Sequence, residues 1–82
     1  MTNNEVTRAA HEFERRAGEK LTVENIGGTL YAFGSELATL RLLKAYRDCG
    51  ERAAASYSDN RESHYFRLEF VNAFVGFDVP KN

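Results

Sequence analysis

The dipeptide Gly27-Gly28 constrains this chain more than any other feature. It separates residues 21–26 from residues 29–33, two short runs that read as strands. The two-residue turns that match strand twist need positive φ at one or both positions, and glycine takes it without steric cost. The pair therefore predicts a tight antiparallel hairpin with Ile26 opposite Thr29. That register places Leu21, Val23, Leu30 and Ala32 on one face, and Thr22, Glu24, Ile26, Tyr31 and Phe33 on the other. The first set is aliphatic and is expected to face helices. The second mixes polar and aromatic groups, as a partly exposed face does.

Helical periodicity appears on both sides of the hairpin. Val6, Ala9, Ala10, Phe13 and Ala17 fall on one side of a helix over residues 3–17. Thr2 and Glu5 have capping-box spacing, and Gly18 stands where a left-handed C-terminal residue belongs. The other side carries Arg8, His11, Glu12, Arg15 and Arg16, with Glu12 spaced to pair with the arginines. After Phe33, Gly34-Ser35 stops the strand. Ser35 is a good N-cap for a second helix, Glu36 complements its dipole, and Gly50 is expected to end it. Ala38, Leu42, Ala45, Tyr46 and Cys49 form its apolar side, with Leu43 at the edge; Arg41, Lys44, Arg47 and Asp48 oppose them. Leu37 and Leu40 fall at or beside the charged side, outside the apolar centre.

Residues 52–58 read as a strand of small residues, although Ala53-Ala54-Ala55 would also prolong the helix past a kink at Gly50. Ser58-Asp59-Asn60-Arg61 has turn chemistry. Residues 63–70 alternate, with His64, Phe66, Leu68 and Phe70 on one side and Tyr65, Arg67 and Glu69 on the other. The tail from Val71 is apolar until Asp78 and either extends the sheet or folds back on it. The expected order is αββαββ. It defines an α+β fold, a single domain over residues 1–82, with two helices packed on one face of a four-stranded antiparallel sheet.

The totals exclude several classes. A chain of 82 residues has room for one thin core. A net charge of −1 provides no global field to recruit nucleic acid or anionic lipid, so such contacts need a local patch. One cysteine makes no internal disulfide, which favours a reducing, cytoplasmic setting. The N-terminus lacks the pattern of a signal peptide, and no apolar run approaches the roughly 20 residues that span a bilayer.

Catalytic material is sparse. Phe33-Gly34-Ser35 before a helix resembles the Gly-Ser lead-in of nucleotidyltransferases, but the paired aspartates of that family are absent. Gly27-Gly28 lacks the Gly-Lys-Ser/Thr ending of a phosphate loop. Cys49 reads as a packed structural thiol. His11 and His64 are assigned to different elements, and two histidines with one cysteine supply no local metal-ligand pattern. No catalytic residue, metal or cofactor is expected.

What remains is surface. Leu37 and Leu40 beside Arg41, Lys44 and Arg47 form an apolar patch edged by cations, the composition of a protein-binding face. Tyr57 and Tyr65 on the last hairpin are expected to share one patch with Arg67, since tyrosine combines apolar area with a hydroxyl. These eight residues are the expected contact groups for a protein partner. Two alternatives stand beside that reading. The Arg41/Lys44/Arg47 ridge could bind nucleic acid, with Tyr65 and Arg67 adding stacking and charge. A homodimer could use Leu37 and Leu40 as its seam. In size, single-domain build and lack of catalytic motifs the chain resembles small phage-encoded inhibitors of bacterial defence, the anti-CRISPR proteins among them. The likeness is of general build and rests on no shared motif. It implies an inhibitor that blocks a host nucleic-acid-handling protein by contact.

Overall fold

The computed structural model describes residues 3–69. Thr2 of the expected capping box, Phe70 and the apolar tail lie outside them. The described chain runs α1 (Asn3–Ala17), β1 (Thr22–Ile26), β2 (Thr29–Gly34), α2 (Glu36–Ala45), a 3₁₀ segment (Arg47–Arg52), β3 (Ala53–Ser58) and β4 (Ser63–Glu69). The four strands form one antiparallel sheet in the order β1-β2-β4-β3. This is the expected αββαββ arrangement, and Ala53-Ala54-Ala55 belongs to a strand, with Ala55 opposite Phe66.

The glycine turn sets the first hairpin as expected. Ile26 pairs with Thr29, and Gly27 and Gly28 have φ of 61° and 87°. The Asn25 carboxamide oxygen accepts from the Gly28 N–H at 3.0 Å, which fixes the turn. The aliphatic face then meets the helices. Leu30 and Ala32 of β2, with Phe66 and Leu68 of β4, join Ala9, Phe13 and Ala17 of α1 and Ala38 and Leu42 of α2 in one buried cluster. Phe13 is its centre, edge-on to Tyr46 and to Phe66 with ring centroids 5.5 Å apart in each case.

Local chemistry positions both helices. At the end of α1, Gly18 takes φ of 79° and its N–H reaches the Glu14 carbonyl at 2.8 Å. The Glu14 carboxylate then accepts from the Leu21 N–H at 3.0 Å, steering the chain into β1. Ser35 caps α2 as expected, its hydroxyl accepting from the Ala38 N–H at 3.0 Å.

Two details of α2 differ from the sequence reading. The α-helix ends at Ala45, not at Gly50. Tyr46 is buried against Phe13 and Phe66, so the chain must turn back at once to lay β3 beside β4. It does so through the tighter 3₁₀ segment, broken at Gly50, whose φ of 61° and ψ of −133° suit glycine. The buried stripe is also rotated. Ala45 is exposed and Thr39 is buried. The Thr39 hydroxyl donates to the Glu36 carbonyl at 2.8 Å, which satisfies it inside the core.

Candidate protein-contact surfaces

Four large apolar side chains remain about half exposed: Leu37 at 56%, Leu40 at 50%, Tyr57 at 49% and Ile26 at 49%. Three of the four lie on one side of the molecule. Leu37 and Leu40 are one turn apart on α2. Leu40 and Tyr57 both line a groove of about 220 Å³ between α2 and β3, floored by Thr39, Ala55 and His64. Among the described residues β3 is at the edge of the sheet, and α2 packs over β3 as well as over the central strands, which leaves the groove between them.

Tyr57 is not where the sequence reading put it. It pairs with His64, and the two rings meet edge to face at 5.0 Å. Ser56, not Tyr57, lies opposite Tyr65. Tyr57 therefore belongs to the helix-covered side, and Tyr65 and Arg67 to the open side. The physical reason is the length of the turn. Four residues, 59–62, join the strands, with Glu62 in the left-handed region at φ 51°, and this register pairs Ser58 with Ser63. The single tyrosine patch expected on the last hairpin does not form.

The basic ridge does form, and it gains a member that the sequence did not mark. Arg41, Lys44 and Arg47 line an open hollow of about 600 Å³ together with Arg16 from α1. Two of these cations also have structural work. An Arg41 Nη1–H donates to the Ala17 carbonyl at 3.0 Å, satisfying an end of α1 that would otherwise lack a partner. Arg16 bonds Glu12 at 2.6 Å and lies 5.1 Å from the Tyr46 ring centre. Partial burial opposes ionisation of Glu12, but hydrogen bonds from Arg15 and Arg16 outweigh it and hold its carboxyl below the usual range. Among the described residues, Lys44 and Arg47 form no ion pair.

The open face of the sheet is self-contained. Tyr31, Phe33 and Tyr65 pack on one another with centroids 5.5 to 6.1 Å apart. Arg61 covers Phe33 at 4.4 Å and makes a two-pronged bond to Glu24, at 2.8 Å for each prong. That bond holds Glu24 below its ordinary pKa. Arg67 pairs with Glu69. Tyr31, Phe33 and Tyr65 with Arg61 thus form a small outer core, and Arg67 is engaged by Glu69. Tyr65 and Arg67 also lie across the sheet from the Arg41/Lys44/Arg47 ridge and cannot extend it.

Groups with reactive chemistry are dispersed. His11 is on the exposed side of α1, His64 is against Tyr57, and Cys49 is a free, half-buried thiol packed on the core. Among the described residues, no three potential metal ligands gather, and no helix is long and apolar enough to cross a membrane. The described residues form a small two-layer α+β domain with an apolar groove on the β3 flank of α2 and a cationic hollow on its α1 flank. No family model, no curated protein and no solved structure matches the chain.

Proposed function

We propose that this chain is a non-enzymatic interaction module that binds a protein partner through its α2–β3 face. Leu40 and Tyr57, each about half exposed, line one groove, and equally exposed Leu37 stands one turn before Leu40 on α2; these three side chains carry this reading. Covering the exposed halves of three such side chains contributes roughly 3 kcal/mol to a complex, about a hundredfold in affinity. Lys44 and Arg47 at the neighbouring hollow set orientation and encounter rate with an acidic surface more than they set affinity. The general likeness to phage-encoded inhibitors names the partner class to test first: a host protein that handles nucleic acid, blocked by contact.

Leu40→Asp tests the proposal, because it puts a charge into the groove without touching the buried cluster. The variant is expected to melt within a few degrees of wild type, as exposed substitutions do, and to lose a partner captured by wild type. Unfolding of the variant, or undiminished capture, would sink the reading.

A further inference from the structure

We infer that Arg61 and Glu24 form a clasp that fixes the register of β3 on β4, and with it the side of the sheet on which Tyr57 stands. The inference rests on the reading of the α2–β3 face as a contact surface. In the register present, Ala53 lies opposite Leu68, Ala55 opposite Phe66 and Tyr57 opposite His64. A slip of one residue sends every β3 side chain to the other face. With Tyr57 opposite Tyr65, Ala54 and Ser56 stand where Ala53 and Ala55 stood, one small side chain for another. Tyr57 exchanges the His64 ring for the Tyr65 ring, again an aromatic pair. Packing thus separates the two registers weakly. The turn opposes the one present, since it holds Glu62 at φ 51°, a costly conformation for a residue with a Cβ.

What favours it is Arg61. Its backbone N–H donates to the Ser58 hydroxyl at 3.2 Å, at the end of β3. Its guanidinium crosses the open face over Phe33, 4.4 Å from the ring centre, and donates to both Glu24 oxygens at 2.8 Å each. Arg61 thereby ties β3 to β1, at the other end of the strand order, by a route outside the β3–β4 seam. Ser58 stands on the open side, opposite Ser63. The slip turns the Ser58 hydroxyl to the helix side, away from the guanidinium, and sets Asp59 opposite Ser63 in its place. Holding to Glu24, Arg61 then loses its anchor on β3. An exposed ion pair has most effect where its geometry is two-pronged and the guanidinium is packed, as it is on Phe33. Neither clasp residue lines the groove, yet together they keep Tyr57 on its wall beside Leu40.

The test uses the full chain and the nuclear Overhauser contacts of Tyr57. Wild type is expected to show Tyr57 against His64 and not against Tyr65. Glu24→Arg and Arg61→Glu each put like charges at the clasp. Each is expected to add a second set of contacts, Tyr57 against Tyr65, several times more populated than in wild type. Combining the two substitutions restores opposite charges and is expected to return Tyr57 to His64. Single variants that keep only the His64 contact overturn the clasp, as does a double variant that fails to restore it. Should a single variant not fold, wild type carried from low salt to roughly 1 M, where exposed charges are screened, replaces it. Growth of the Tyr65 contacts is expected there, and unchanged contacts overturn the clasp. These readouts need no partner. If Leu40→Asp abolishes capture while Tyr57 stays against His64 in both charge variants, the contact surface stands and only the clasp is wrong. If Leu40→Asp changes nothing while Tyr57 moves, the clasp stands and the contact reading falls.

Discussion

Glu12 joins two arginines on α1, at 2.6 Å to each, and through Arg16 it reaches the cationic hollow. Its carboxyl titrates below the ordinary 4.5 because the guanidinium bonds overcome the cost of partial burial. A carboxyl whose folded pKa is depressed stabilises the fold above its unfolded pKa. That contribution is lost as pH falls through the folded value. Glu12→Gln should therefore lower stability at neutral pH by a few tenths of a kcal/mol per exposed pair. The difference from wild type should hold down to about pH 5 and close below the ordinary carboxylate range. Thermal melts of both proteins across pH 3–7 check this; a gap that widens on acidification would contradict it.

At the scale of elements, the end of α2 is the most constrained joint. Gly50 holds φ of 61° and ψ of −133°, a region nearly closed to residues with a Cβ, although the space around it is open. Gly50→Ala should cost about 1–2 kcal/mol through backbone strain alone, seen as a shifted denaturation midpoint with unchanged slope. Comparable stability to wild type would mean the joint relaxes. This joint also shows what could be read from sequence. The Gly27-Gly28 hairpin, the Ser35 cap and the alternation from His64 to Glu69 in β4 were legible, because each depends on neighbours a few positions away. The stop at Ala45 was not, since helical spacing continues through Cys49 and only the burial of Tyr46 by Phe13 and Phe66 interrupts it. The face of Tyr57 was also hidden, because it depends on Glu62 adopting a left-handed conformation that no local signal requires.

For the molecule as a whole, the deciding quantity is how charge is spread over a chain with net charge −1. The cations of the hollow are balanced in part by Asp48 and Glu12 and by the helix end that Arg41 caps. The proposed protein contact therefore predicts little affinity for nucleic acid. Anisotropy with a short labelled duplex should detect no binding at low salt. Binding whose log affinity falls with log salt by about 0.9 per phosphate would restore the nucleic-acid reading. The sequence located the two halves of the candidate surface, Leu37 with Leu40 and the three-cation ridge. It could not bring Arg16 to that ridge or Tyr57 to Leu40, since both depend on packing between distant segments. The strand order has a temporal consequence as well. Each hairpin closes over a short loop, whereas β2 and β4 meet only after some thirty intervening residues have been gathered. The entropy of that closure falls on a single seam, from Leu30 against Leu68 to Gly34 against His64. Two fast local foldings must wait there for one slow encounter, and until it occurs both hairpins show their unpaired edges to every other chain in solution.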